Sequence, residues 1–276
     1  MIDSEDLHYL AGGSKTTFRR LLTDMVAARM IDPPEVQNRL YRGEGRQPTG
    51  YRLGDAGAKR LKDMGYDVAT GSGHWRDKNH TLGDIFYRHD LLTTQINFGI
   101  LRAADERGFD YNWRTDSPEI HDQVDLFVAG RKQTLPIRPD SYGVLRFRGE
   151  DGKLYSRHLF IEADRATEPG YSQGLDRSSL RRKYEAYQRW AFQEKGHVKK
   201  FGIRGFLVLT VTSSPDRAEN LRQVAQKIDD RGGSHLFWST AFPGRKDCEP
   251  WLEPIWVSAG DPADSKRKHS LIEVAT

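Results

Sequence analysis

Three carboxylates on two neighbouring predicted strands are the side chains of this sequence best placed to do chemistry. Asp140 follows Pro139 in one strand-like stretch, and Glu162 and Asp164 come directly after residues 159–161 in the next. Residues two apart in a strand point to one face, so an adjacent strand brings all three carboxylates together. Such a cluster is costly unless a cation or proton neutralises it, and its oxygen ligands suit Mg²⁺ or Mn²⁺. The alternative is that Asp164 pairs with an arginine while Glu162 and Asp140 face water.

The elements around these carboxylates predict a mixed α/β domain over residues 84–260. A long helix at about 84–107 precedes the strand-like stretches, and an amphipathic helix at about 178–195 follows the carboxylates. The run FGIRGFLVLTVTS is the most hydrophobic in the chain and predicts a buried central strand. The order α-β-β-β-α-β-α-β predicts antiparallel strands early and parallel strands late, in a mixed sheet flanked by helices.

The first 66 residues have the pattern of a small DNA-binding domain. Residues 4–11 and 14–31 predict two helices around a Gly-Gly turn, and residues 38–52 predict a hairpin with a basic, Gly-rich tip. With the helix that follows, this order is typical of a winged helix-turn-helix, in which residues 14–31 form the recognition helix and residues 38–52 the wing. The helix that usually precedes such a pair is missing before Ser4.

The predicted recognition helix and wing carry side chains suited to DNA. Between Lys15 and Lys62 the chain has eleven basic and five acidic residues, whereas the remainder is slightly acidic. We expect DNA contacts from Ser14, Lys15, Thr16, Thr17, Arg19 and Arg20 on the helix and from Arg42 and Arg46 on the wing. This distribution favours double-stranded DNA as the partner, and the alternative is a winged helix that contacts protein.

The overall composition narrows the class of protein. The chain has 276 residues, is 37% hydrophobic and 30% charged, and has a formal net charge of +4, so it has enough apolar content for a core. Its single cysteine excludes an intramolecular disulfide and a cysteine-based zinc finger. The sequence has neither an 18-residue apolar run nor an N-terminal signal pattern. We therefore expect a cytoplasmic protein with no membrane partner.

The chain is expected to divide into four parts. These are a winged helix at residues 1–66, a polar linker at 67–83, the α/β domain at 84–260 and a C-terminal tail at 261–276. His74 and His80 lie in the linker at irregular spacing, which favours solvated histidines over a zinc site.

Three motifs resemble those of the replication-relaxation family of plasmid and mobile-element proteins. They are IRPD, LFIEADRATEPG and SLRRKYEAYQRW, and the resemblance extends from the wing to HLFWST. It implies a winged helix joined to a restriction-endonuclease-like domain of the PD-(D/E)xK type. It also implies a role on DNA in plasmid replication, relaxation or mobilisation, with plasmid replication or transfer proteins as partners.

The resemblance assigns roles to individual residues. Asp140 occupies the position of the PD aspartate and Glu162 that of the acidic residue of the ExK pair, both as ligands of Mg²⁺ or Mn²⁺. Asp164 stands where an active nuclease has a lysine. Some members of the wider superfamily supply this lysine from the following helix, and Lys183 is the substitute here. The implied catalytic set is Asp140, Glu162, Asp164 and Lys183, with the three carboxylates as metal ligands.

Two functions remain open from the sequence. The first is metal-assisted hydrolysis of a phosphodiester, in which Lys183 shields the charge that develops on the phosphoryl oxygens. The second is a catalytically inactive nuclease-like fold that acts as an architectural or regulatory DNA-binding factor. In that case the second domain serves to form a homodimer or to dock a replication or transfer protein.

Overall fold

The computed structural model divides into two compact units, Met1–Gln95 and Ile96–Thr276. It describes residues 1–40, 48–66, 68, 75–115, 120–128, 131–165, 179–229, 232–244 and 249–274. The division between the units falls inside one long helix, and the four-part domain layout stays a prediction. None of the helices in the described part of the chain combines the length and the apolar character of a membrane span.

The N-terminal unit combines short helices with a small antiparallel sheet. Its elements are β1 (Ile2–Asp3), α1 (Ser4–Ala11), α2 (Lys15–Ala27), β2 (Ile31–Asp32), α3 (Val36–Leu40), β3 (Gly50–Leu53), α4 (Asp55–Asp63), α5 (Trp75–His80) and the first part of α6 (Asp84–Glu106). β3 lies between β1 and β2 and is antiparallel to both. Side-chain caps start two of these helices: Asp3 accepts from the backbone of Glu5 and Asp6, and Ser14 accepts from that of Thr17.

The predicted hairpin over residues 38–52 is wrong in its first arm. Val36–Leu40 form helix α3, and the strand β3 pairs with β1 and β2 instead. The buried side chain of Gln37 makes the hydrogen bonds to Gly50 that a paired strand would have made with its backbone. Its Oε1 accepts from the backbone N of Gly50 at 2.9 Å, and its Nε2 donates to the carbonyl O of Gly50 at 3.2 Å. Arg42 and Arg46, predicted at the wing tip, lie outside the described residues.

The C-terminal unit confirms the predicted mixed α/β fold. Its strands are β4 (Asp110–Thr115), β5 (Asp122–Val128), β6 (Arg131–Ile137), β7 (Ser141–Arg148), β8 (Leu154–Ala163), β9 (Phe206–Thr212), β10 (Phe237–Ala241) and β11 (Val257–Ser258). Six of them form one sheet in the order β11-β10-β9-β8-β7-β4, and β5 and β6 pair separately. As expected, β4, β7 and β8 are antiparallel, whereas β8, β9 and β10 are parallel.

Helices cover this sheet and complete the unit. They are α7 (Ser179–Gln188) with a π-helical continuation Arg189–Glu194, α8 (Gly196–Phe201), α9 (Pro215–Lys227) and a 3-10 turn Glu249–Leu252. Pro215 lies in the first turn of α9, where its missing N–H costs nothing, and Ser214 caps the helix by accepting from the backbone of Arg217.

A buried aromatic cluster fixes α7 against the centre of the sheet. Phe160 of β8 is fully buried, and its ring centroid lies 4.5 Å from that of Phe206, 5.9 Å from that of Trp190 and 6.0 Å from that of Tyr187. Each such side chain contributes about 1.5–3 kcal/mol by leaving water. This packing holds the face of α7 that carries Tyr187 against the C-terminal end of β8. Phe160 itself lies two residues before Glu162 in that strand.

Candidate functional site

Asp140 and Glu162 meet where β7 begins and β8 ends. Ser141, the first residue of β7, pairs with Ile161, so the antiparallel register places Asp140 opposite Glu162. The Oδ2 atom of Asp140 accepts a hydrogen bond of 2.8 Å from the backbone N of Ala163, which fixes the carboxylate to the end of β8. The side chain of Glu162 is 1% exposed and that of Asp140 is 16% exposed. Water therefore reaches the pair from the side of Asp140.

Lys183 joins these two carboxylates from α7. Its Nζ atom lies 2.5 Å from Oε2 of Glu162 and 3.5 Å from Oδ1 of Asp140. About a third of its side chain remains exposed (36%), whereas its ammonium contacts both carboxylates. The structure thus brings together three of the four residues in the implied catalytic set: Asp140, Glu162 and Lys183.

Two tyrosines on the same helix face complete the surroundings of Glu162. The hydroxyl of Tyr187 donates to Oε1 of Glu162 at 2.8 Å, so each oxygen of this carboxylate has a partner. The hydroxyl of Tyr184 lies 2.6 Å from Oγ1 of Thr210 on β9. Sequence reasoning missed the role of Tyr187, although its position four residues after Lys183 indicates a shared helix face.

Burial and charge determine the protonation of the cluster that Asp140, Glu162 and Lys183 form. Burial raises the pKa of Glu162 to about 7, against the opposing effect of the Lys183 ammonium and with a further increase from Asp140. Burial alone would lower the pKa of Lys183, but the carboxylates of Glu162 and Asp140 outweigh it and hold that pKa above its ordinary value. Lys183 is therefore a cation at neutral pH, and Glu162 is the member of the cluster that titrates there.

Asp164 faces a different set of partners. Its carboxylate accepts from Arg217 of α9, with Nε at 2.8 Å from Oδ2 and Nη2 at 3.3 Å from Oδ1, and from the hydroxyl of Thr212 at 2.8 Å. Both members of this ion pair are 11% exposed. Asp164 thus ties the end of β8 to β9 and α9, the arginine-paired arrangement that the sequence left open as an alternative. Nothing in the sequence indicated Arg217, which lies far along the chain.

The predicted recognition helix presents the expected side chains to solvent. Phe18 and Leu22 of α2 are buried, and the residues on its other faces are exposed: Ser14, Lys15, Thr16, Thr17, Arg19 and Arg20. Ser14 also has a structural role, because its hydroxyl accepts from the backbone N of Thr17 at 3.2 Å and donates to the Thr17 hydroxyl at 2.9 Å. The cationic side chains therefore lie together at the start of a capped helix.

The comparison with protein families concerns both α2 and the carboxylate cluster. A family model described as Replication-relaxation matches residues 5–202, which is more than half of the chain and includes α2, Asp140, Glu162 and Lys183. The chain belongs to the replication-relaxation family. This confirms the resemblance noted in the motifs and connects the chain with replication-related functions of plasmids and mobile elements. No curated protein and no solved structure matches it.

A PD-(D/E)xK nuclease, the type expected from the sequence motifs, would need a divalent ion, and the chemistry of Asp140 and Glu162 fits one. Their Oδ1 and Oε2 atoms converge on a single cation, the ammonium of Lys183. Mg²⁺ is commonly held by one or two carboxylates, with water and substrate phosphate as further ligands. Asp164 does not converge with them, because its carboxylate is directed to Arg217. Asp140 and Glu162 are therefore the residues that would hold such an ion.

Proposed function

We propose that this replication-relaxation protein binds plasmid or mobile-element DNA through α2 and nicks it at a centre that uses Mg²⁺ or Mn²⁺. The observation that supports nicking most strongly is the convergence of Asp140 and Glu162 on Lys183. In some members of the wider superfamily, the lysine that is missing from the ExK position is supplied by the following helix. The two carboxylates, from the residue before β7 and from β8, and the ammonium from α7 are the groups that the proposed phosphodiester hydrolysis needs.

Each residue of this set has a distinct role in the proposed reaction. Asp140 and Glu162 would hold the divalent ion, which would supply Lewis-acid activation of water and of the phosphoryl oxygen. The backbone N of Ala163 orients Asp140, and Tyr187 orients Glu162. Lys183 would place its ammonium near the phosphate and stabilise the charge that develops there.

The proposed DNA contacts are those of an exposed helix face. Lys15, Arg19 and Arg20 supply positive charge for phosphates, and Ser14, Thr16 and Thr17 supply hydroxyls at the helix start. Arg42 and Arg46 belong to the same proposed interface by sequence. Double-stranded DNA is the partner that fits this local excess of basic residues.

The charge balance of the carboxylate cluster favours a second function, in which the C-terminal unit has no nuclease activity. The ammonium of Lys183 already neutralises Asp140 and Glu162, and Arg217 neutralises Asp164. On this account the C-terminal unit is an inactive nuclease-like fold, and the cluster serves stability alone. The protein then acts as an architectural or regulatory DNA-binding factor that forms a homodimer or docks a replication or transfer protein.

A plasmid nicking assay separates the two functions. Supercoiled plasmid is incubated with Mg²⁺ or Mn²⁺ and wild type, Asp140→Asn, Glu162→Gln or Lys183→Met, with Lys153→Met as the control for loss of an exposed lysine. We expect open circles with wild type and the control, and none with the three site variants. Wild type that binds the plasmid without cutting it overturns the nuclease proposal in favour of the second function.

The DNA-binding proposal has its own readout, the dependence of affinity on salt. Counterion release makes the logarithm of the binding constant fall linearly with the logarithm of salt concentration, by about 0.9 per phosphate contact. We expect a steep decrease for the wild type. An affinity that does not change with salt contradicts binding through Lys15, Arg19 and Arg20.

A further inference from the structure

A second group of possible metal ligands lies outside the carboxylate cluster. Within the described part of the chain, the ligand atoms of His235, Asp261 and His269 all lie within 4.8 Å of one another. Asp261 and His269 are buried, whereas His235 is exposed. All three follow residue 202, where the family match ends. Two imidazoles and one carboxylate are a donor set that Zn²⁺ accepts in proteins.

The backbone around this group is built for close approach. His235 lies just before β10, and Asp261 and His269 belong to the segment that follows β11. A Cβ atom on Gly260 would lie 2.6 Å from the imidazole ring of His235, so only glycine lets the ring lie against that backbone. Gly233 has φ +124°, and a Cβ there would lie 2.0 Å from the carbonyl O of Ala259. Both glycines bring the loop of His235 onto the C-terminal segment.

Neighbouring side chains orient the two imidazoles. Nδ1 of His235 lies 2.9 Å from the hydroxyl of Ser258, and Nδ1 of His269 lies 3.2 Å from Oε2 of Glu273. Nε2 of His269 points at Oδ2 of Asp261, 2.8 Å away. Metal-binding histidines characteristically direct one ring nitrogen to a carboxylate or another acceptor, which leaves the other nitrogen for the metal. Each ring thus has an outer partner on Nδ1.

We propose that His235, Asp261 and His269 bind one Zn²⁺ through the Nε2 atoms of the two histidines and a carboxylate oxygen of Asp261. The ion would replace the hydrogen bond between Nε2 of His269 and Oδ2 of Asp261, whose proton is released to water. Water completes a four-coordinate site on the exposed side, next to His235. Imidazole ligands select Zn²⁺ over Mg²⁺, so this site differs in metal from the carboxylate pair Asp140–Glu162. The bound ion joins the loop before β10 to the C-terminal segment and stabilises that segment against the edge of the sheet.

Calorimetric titration of the untagged full-length protein with Zn²⁺ tests the proposal. We expect one equivalent to bind the wild type and to raise its melting temperature, since a ligand that binds the folded state stabilises it. His235→Ala should weaken Zn²⁺ binding by at least about tenfold, and Glu273→Gln by about tenfold through loss of ring orientation. His80→Ala, which removes an exposed histidine of the N-terminal unit, should change nothing.

His235→Ala is the decisive variant because this side chain is the exposed member of the group, whereas changes at Asp261 or His269 remove buried groups. Asp140→Asn should bind Zn²⁺ like the wild type, which separates this site from the proposed nuclease centre. With Co²⁺ as a second probe, the wild type should show the visible absorption of a four-coordinate site. Wild type that binds no Zn²⁺, or His235→Ala that binds it as tightly as the wild type, overturns the proposal.

Discussion

The carboxylate cluster of the C-terminal unit and the basic face of α2 use charge in opposite ways. In the cluster, the ammonium of Lys183 is enclosed by Asp140 and by Glu162, whose side chain is 1% exposed. On α2, Lys15, Arg19 and Arg20 are exposed, and among the described residues none of them forms an ion pair. Burial couples the first set to folding and to protonation, whereas the second set remains available to an anionic partner. Variants should therefore change stability and chemistry together in the cluster but only binding on α2.

Lys183→Met should have the largest effect on stability. It leaves Glu162 buried without its closest cation, and a buried charge that loses its partner costs about 3 kcal/mol or more. The raised pKa of Glu162 means that the folded state binds the proton more tightly than the unfolded state. Lys183→Met removes the ammonium that lowers this pKa, so the pKa of Glu162 rises further in the variant. The loss should therefore be larger at pH 8, where the variant must bury an unpaired charge or take up a proton, than at pH 5.5, where Glu162 is protonated in both proteins. Urea unfolding at the two pH values measures this difference.

The double variant Lys183→Met/Glu162→Gln serves as the control for that interpretation. It removes the buried charge together with its partner and should recover most of the lost stability at pH 8. If Lys183→Met lowers the free energy of unfolding equally at both pH values, the ionised form of Glu162 is not the cause.

Asp164→Asn should show that Asp164 contributes to the stability of the C-terminal unit and not to metal binding. Arg217 loses its charged partner in a nearly buried pair, so we expect the free energy of unfolding to fall by about 2 kcal/mol. Affinity for Mn²⁺ and the rate of nicking should stay within about twofold of the wild type, because Asp164 faces Arg217. A large loss of Mn²⁺ affinity would restore the three-ligand site that the sequence suggested.

Removing two charges from α2 should affect DNA binding and leave stability unchanged. The double variant Arg19→Ala/Arg20→Ala should weaken DNA affinity by about tenfold or more and reduce the salt slope by about 2. Its unfolding free energy should stay within about 0.5 kcal/mol of the wild type, as for other exposed substitutions. Lys59→Ala/Arg60→Ala removes the same charge from the exposed side of α4 and is the matched control. Equal losses in both variants would mean that net charge, rather than α2, determines binding.

Ser14→Ala should have the smallest effect of the series. It removes the hydroxyl that caps α2 by accepting from the backbone N of Thr17, a loss of about 1 kcal/mol in the free energy of unfolding. DNA affinity should fall only in proportion to the fraying of the helix start. Ser14→Asp, which retains a cap acceptor, should keep the stability; if it loses as much as Ser14→Ala, the cap does not hold α2.

The sequence predicted the parts of the site that depend on periodicity and hydrophobic patterning. The buried run over β9, the strand β8 and the helix α7 all follow from such patterns, whereas the role of Lys183 was expected from the family resemblance. The prediction of the first hairpin arm was wrong because a five-residue segment is too short for its hydrophobic periodicity to distinguish a helix from a strand. Gln37, which replaces that arm in bonding to Gly50, has no local pattern that would indicate its role.

Contacts between segments that are distant along the chain could not be predicted from the sequence. Asp164 has several arginines within reach by sequence alone, and only the packing of α9 against the end of β8 selects Arg217. His235 and His269 likewise meet because two glycines let their segments approach closely. The pKa of Glu162 depends on burial under α7, which a strand pattern does not specify.

The nicking rate of the wild type across pH 5.5–8.5 tests the central claim most directly, because it joins the geometry of Glu162 to the chemistry. Glu162 must be ionised to hold a divalent cation, and its pKa is raised to about 7. With subsaturating Mg²⁺ or Mn²⁺ and supercoiled plasmid, we predict a rate that increases as the pH rises, because protons compete with the ion for Glu162, and that is absent in Glu162→Gln at every pH. No cleavage by the wild type at any pH, or the same cleavage by Glu162→Gln, would contradict the account.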